Sequence, residues 1–136
     1  MRTLILDSSV IIKWFKFKDE SKVKEAKYFL TEFRNKKLRI IISQLTYFEL
    51  LNISAFDSNI PVNEWQNIIQ VLFDIDFTLL SLTYNLAQDT YSIAKKFKIS
   101  AYDASYIALA KTHKVDFITA DQKLVTKVDL PFVKLL

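Results

Sequence analysis

Short apolar runs alternate with helix-periodic segments along the whole of this chain. Few folds accommodate that alternation, because strands separated by helix-length stretches pair in parallel and need helices to cover both sheet faces. The first run, Thr3 to Leu6, ends in Asp7, followed by Ser8, Ser9 and an amphipathic helix over Val10–Phe17. Leu38–Ile42, Phe77–Leu82, Asp116–Ala120 and Phe132–Leu135 read as further strands. Between them lie helix-periodic segments. One begins at Lys22, after a start signal at Asp19-Glu20-Ser21, and ends near Asn35-Lys36-Lys37. Ser43 caps Gln44 to about Phe56. Asn63–Phe73 follows the loop Asp57–Val62, with Trp65, Ile68, Ile69 and Leu72 on one face. Thr83 opens a helix burying Leu86, Thr90, Ile93 and Phe97. Ala101 to about His113 and Gln122 to Lys127 complete the set. The expected architecture is α/β, a single domain over residues 1–136 with a central parallel sheet between two helix layers. All strand C-termini then fall on one edge.

Composition removes several function classes. No glycine is present, so neither a dinucleotide fingerprint nor a phosphate-cradling loop exists. Turns that need positive φ pass to Asn or Asp, such as Asn35, Asn59 or Asp57. No cysteine is present and His113 is the single histidine, so a metal site would be built from oxygens, which favours Mg²⁺ or Mn²⁺ over Zn²⁺. No apolar run reaches the ~20 residues of a membrane span, and the start lacks signal-peptide features; a cytoplasmic protein is expected. The net charge of +4 is unevenly spread: +6 over residues 13–39, −6 over residues 40–94, which hold no Lys or Arg, and +4 over residues 95–136. The two basic segments can line a polyanion path; solvation of helix faces is the plain alternative.

Asp7, Glu49, Asp103 and Asp121 are embedded in apolar sequence. Each has a structural explanation. Asp7 and Asp121 can cap the helices that follow them, and Thr46-x-x-Glu49 and Ser100-x-x-Asp103 match the capping-box pattern. Jointly they say more. Two end strands, two lie in early helical turns, and in a parallel sheet these places converge on the C-terminal edge, where ligands bind. Clustered carboxylates repel and resist burial. A divalent cation resolves that conflict and fits two-metal phosphodiester hydrolysis, with Ser9 and Thr119 hydroxyls orienting ligands from behind.

Four stretches, L-D-S-S-V-I-I-K-W-F from Leu6, S-Q-L-T-Y-F-E-L from Ser43, S-A-Y-D-A-S-Y-I-A-L-A from Ser100 and F-I-T-A-D-Q-K-L from Phe117, together resemble the PIN-domain family. They look most like the VapC-type toxins of toxin–antitoxin pairs. The resemblance spans nearly the whole chain in the family's order and implies a PIN-like α/β/α sandwich and a Mg²⁺- or Mn²⁺-dependent endoribonuclease. It places the family's acidic quartet on Asp7, Glu49, Asp103 and Asp121, its small polar residue on Ser9 and its strand-end hydroxyl on Thr119. It also implies an RNA substrate, a homodimer and a small antitoxin partner. The family's active site lacks glycine-rich loops, so the missing glycine is no obstacle. A catalytically silent PIN-like module that binds RNA or protein is the rival reading. A phospho-receiver domain fits poorly, because Asp121 stands where a Lys is needed.

Other residues receive structural readings. Tyr102 is taken as a packed core tyrosine, with a place at the cleft rim against a base as the alternative. Trp14, Phe15 and Phe17 are assigned mostly to the core, and His113 to a helix C-terminus. Asp116, at a strand start, falls at the wrong end for the site. The helices of the segment without basic residues, which carries Tyr47, Phe48, Phe56 and Trp65, are expected to form the dimer or antitoxin surface.

Overall fold

A computed structural model describes residues 1–136. The elements run β1 (Arg2–Leu6), α1 (Ser8–Ile11) with a 3₁₀ turn over Ile12–Trp14, α2 (Val23–Arg34), β2 (Leu38–Ser43), α3 (Gln44–Phe56), α4 (Val62–Asp74), β3 (Thr78–Leu80), α5 (Tyr84–Phe97), α6 (Ala101–His113), β4 (Asp116–Thr119), α7 (Gln122–Val128) and β5 (Val133–Leu135). The five strands form one sheet in the order β3-β2-β1-β4-β5, and every pair is parallel. The chain builds outward from β1 to β3, then returns to add β4 and β5 on the other side. The strand order therefore reverses between β1 and β4, the position where parallel sheets open a crevice at their C-terminal edge.

Alternation within the strands makes the three layers. Leu4, Leu6, Ile40, Ile42 and Ile118 face one side and pack with Val10, Ile11, Trp14, Ala26, Leu50 and Trp65. Ile5, Ile41, Phe117 and Val133 face the other and pack with residues of α5, α6 and α7, among them Ile93, Tyr106 and Leu124. A strand covered on both faces has no polar position to spare, which is why these runs are continuously apolar. On the first face the Trp14 indole donates to the Ala26 carbonyl at 2.8 Å and stacks on Phe77 at 6.2 Å.

Several boundaries differ from the expectations. The first helix does not run from Val10 to Phe17: Asp7 caps it two residues earlier, and it tightens to a 3₁₀ turn ending at Trp14, whose indole is held by α2. The Asp19-Glu20-Ser21 signal lies ahead of α2 instead of in its first turn, because Glu20 is bound by the buried Lys13 ammonium at 2.9 Å and Lys22 takes φ 58°. β3 is confined to Thr78–Leu80, since it is an edge strand paired only with β2, and Leu82 is exposed. Positive φ falls on Asp19, Lys22, Lys36, Lys98, Lys114 and Asp129, not on Asn35, Asn59 or Asp57. Lys98, Lys114 and Asp129 are the left-handed C-caps of α5, α6 and α7, the place where glycine is usual. Phe17 is exposed beneath the Lys27 ammonium, 4.1 Å from its ring centroid, instead of in the core. On the helices expected to form a partner surface, Phe48 and Phe56 are exposed, while Trp65 is buried with Leu72 in the first core, its indole donating to Asp57 at 3.0 Å. No helix is long and apolar enough to cross a membrane.

Candidate active site

Asp7 leaves the end of β1 at the crevice between β1 and β4. As N-cap of α1 it accepts the Ser9 amide at 3.1 Å. Its Oδ1 also takes the Ser9 hydroxyl at 2.5 Å, and its Oδ2 takes the Thr119 hydroxyl at 2.6 Å. Both hydroxyls are held in turn from the β4 side, Ser9 Oγ accepting the Ala120 amide at 2.9 Å and Thr119 Oγ1 the Asp121 amide at 3.1 Å. Ser9 and Thr119 thus stitch the two halves of the sheet together through Asp7. Each hydroxyl proton is committed to the carboxylate, so the side chain is fixed in direction.

Glu49 projects from the second turn of α3. Ser43 is the N-cap of that helix, and its amide donates to Thr46 Oγ1 at 3.4 Å. The Thr46-x-x-Glu49 match is therefore not realised as a capping box, and Glu49 is free of capping. Its Oε1 accepts the Tyr106 hydroxyl from α6. Tyr106, 1% exposed and stacked on Phe117, receives the Thr46 hydroxyl at 3.0 Å in return. Asp103 sits in the first turn of α6, its amide donating to Ser100 Oγ at 3.1 Å. Asp121 caps α7 by accepting the Leu124 amide at 3.1 Å, so its structural explanation holds alongside any other role.

Electrostatics link the four into a row. Burial pushes the Asp7 carboxyl up from 3.8 to about 6, against the pull of its Ser9 and Thr119 hydrogen bonds, and Glu49 adds repulsion. Glu49 is raised by burial and then by Asp103, with the Tyr106 and Ser8 hydroxyls pulling it back. Asp103 is raised by burial and then by Asp121, opposed by Ser100. None of the ion pairs in the protein reaches these acids. No three His, Cys, Asp or Glu side chains converge closely enough to hold a metal ion among themselves. The donor set is all oxygen and uncompensated, which suits a hard cation that keeps several waters.

Two side chains were misread or missed. Tyr102 is 65% exposed at the rim beside Asp103, not packed in the core: α6 turns its Ala104 and Tyr106 inward and leaves Tyr102 on the open side. Tyr106, whose hydroxyl donates to Glu49 Oε1, is a site residue that the motifs do not single out. A tyrosine in an otherwise aliphatic buried helix face, one turn after Asp103, was the available signal. Asp116 lies at the opposite edge as expected, paired with Lys134 at 2.8 Å. His113 is exposed in the last turn of α6.

The family model described as PIN domain matches residues 4–129. Three solved structures share the fold. DNA-bound VapBC from Salmonella typhimurium aligns at 18% identity and TM-score 0.67, covering 100% of this chain and 98% of that one. VapBC2 from Rickettsia felis, bound to a DNA fragment from its promoter, aligns at 14% identity and TM-score 0.68, covering 98% and 97%. FitAcB from Neisseria gonorrhoeae aligns at 20% identity and TM-score 0.64, covering 98% and 96%. No curated protein sequence matches significantly.

Proposed function

The chain belongs to the PIN domain family, and from that premise we propose that it is a Mg²⁺- or Mn²⁺-dependent endoribonuclease, one domain over residues 1–136, acting as the toxin of a VapBC-type toxin–antitoxin pair in the cytoplasm. The observation that carries this reading is the row of carboxylates at the switch point, partly buried and left without any basic partner. A protein gains nothing in stability from such a row; it makes sense as a receptor for a cation.

Asp7, Glu49, Asp103 and Asp121 would hold the ion together with waters, since no three of them converge on one point. When bound there, a divalent cation supplies a water of lowered pKa and neutralises charge on a scissile phosphate. The chain's own part is positional. Ser9 and Thr119 aim Asp7, and Tyr106 with Thr46 aims Glu49. Asp121 is aimed by its hydrogen bond to the Leu124 amide. Pre-set donors of this kind avoid reorganisation during reaction. The lysines of α2, among them Lys22, Lys24 and Lys27, give an RNA backbone a surface of opposite charge to the acids. A further structure with this fold, at 17% identity and TM-score 0.65, is a toxin–antitoxin complex from Klebsiella pneumoniae; a small antitoxin and a second copy of this chain are proposed as partners here.

The test is cleavage of a structured RNA by the purified protein, with Mg²⁺ or Mn²⁺, with chelator, and with Asp7→Asn. Metal-dependent cleavage lost in the variant supports the reading. Absence of both cleavage and Mn²⁺ binding leaves the silent RNA- or protein-binding module.

A further inference from the structure

Beside the acid row, a groove of about 320 Å³ opens between the ends of β2 and β3 and the helices α5 and α6. Ser43, Leu45, Leu80, Leu82, Thr90 and Tyr102 line it, and no Lys or Arg does. Tyr102 and Leu82 stand exposed at its rim, and Tyr102 immediately precedes Asp103. Two hydroxyls in its wall lack a full hydrogen-bond partner, Ser43 facing the Thr46 amide as the N-cap of α3 and Thr90 facing none. Both oxygens are buried, and Thr90 is 8% exposed. Such orphans are uncommon and costly.

We propose that this groove seats one unpaired nucleobase of the RNA, stacked on Tyr102, with the Ser43 and Thr90 hydroxyls reading its edge. The inference rests on the nuclease reading and names the nucleotide conformation which that site takes. A phosphate is a poor occupant, because the wall holds no cation and the neighbouring acids repel it. An aliphatic anchor from a protein partner fills the apolar space but leaves both hydroxyls unpaired. A base satisfies both demands: its face stacks on an aromatic ring, and its edge carries donors and acceptors. A hydroxyl can give or take a hydrogen bond, so two of them can discriminate between base edges. A base already paired in a duplex cannot enter, so the expected substrate is a single strand or a loop.

The experiment uses a single-stranded oligoribonucleotide with 2-aminopurine walked through successive positions. Binding is read by fluorescence in the Asp7→Asn background, and Mn²⁺-dependent cleavage is read in the otherwise unaltered protein. One position is expected to be quenched, and the quenching is lost on adding Tyr102→Ala. Tyr102→Ala raises KM about tenfold while kcat stays within about twofold, and Tyr102→Phe retains both. Thr90→Val, which keeps the side chain's shape, changes the base preferred at the quenched position. Tyr102 is exposed, so its replacement leaves the core intact. Cleavage by the wild type with unchanged KM in Tyr102→Ala and no quenched position overturns the base groove and leaves the nuclease standing. So does equal cleavage of a fully paired duplex. Position-specific quenching without any cleavage supports the groove and overturns the nuclease reading, and the absence of both overturns the two together.

Discussion

Acids in this protein fall into two regions with opposite environments. Away from the C-terminal edge, three carboxylates meet a cation: Asp57 with Lys16 at 2.9 Å, Glu20 with Lys13 at 2.9 Å, Asp116 with Lys134 at 2.8 Å. At that edge, Asp7, Glu49 and Asp103 have hydroxyls or one another. The result appears in their protonation. The Lys16 ammonium, ahead of the Trp65 indole, holds Asp57 down at about 2, whereas burial carries Asp7 up to about 6. The contrast teaches that the fold compensates charge wherever charge serves structure and withholds compensation in one cleft. A rise from 3.8 to about 6 corresponds to roughly 3 kcal/mol against the ionised Asp7 at neutral pH.

The strongest way to break this contrast is Asp7→Asn. Cleavage is expected to fall on the order of a thousandfold, since several kcal/mol of charge stabilisation leave with the ion. The metal-free variant should nevertheless melt higher than wild type, by a few degrees, because a buried charge is gone. Asp57→Asn should do the reverse, melting lower without direct loss of cleavage chemistry. Equal signs in the two melting shifts would remove the distinction.

Next in size is Tyr106→Phe, which keeps the stack on Phe117 and removes the hydroxyl from Glu49. Removing such a supporting hydrogen bond is expected to weaken Mn²⁺ binding or cleavage by about 10–100-fold; titration calorimetry with Mn²⁺ reads it independently of turnover.

Acidity sharpens the same comparison. Asp7 has a folded pKa above its unfolded value, so in chelator its contribution to stability is fully present below about 4 and is lost as pH rises through about 6. Asp57 has a folded pKa below its unfolded value, so its contribution is complete above about 4 and is lost as pH falls toward 2. Urea titrations of Asp7→Asn and wild type, compared between pH 7 and 4.5, should therefore converge as pH falls.

Smallest is Asp116→Asn, expected to cost less than about 1 kcal/mol, as exposed ion pairs do, and to leave cleavage untouched. A measurable loss of activity would move Asp116 into the site.

Much of the cleft was legible because it is written in local chemistry. Asp7 and Asp121 close apolar runs, and a parallel sheet delivers run ends to one edge. Ser43 announces the start of α3 and so frees Glu49 from capping. The rest depends on partners distant in the chain. Tyr106 meets Glu49 across 57 positions; a tyrosine on the buried face of α6 marks a polar contact there but does not name its partner. Tyr102 and Tyr106 sit four residues apart on one helix, yet one is exposed and the other buried, a choice made by how α6 lies on the sheet. The left-handed caps were misplaced because asparagine tolerates that backbone best, while Lys98 and Lys114 occupy it where the helices have to stop.

The bond from Thr119 to Asp7 joins residues 112 positions apart, and Ser9 is anchored to Ala120 across 111. A ribosome adding about 5–20 residues each second needs roughly 5–25 s to make the intervening chain. During that interval Asp7 exists without the strand that aims it. The cleft is therefore assembled last: until Thr119 and Ala120 have been made, Asp7 and Ser9 lack their links to β4.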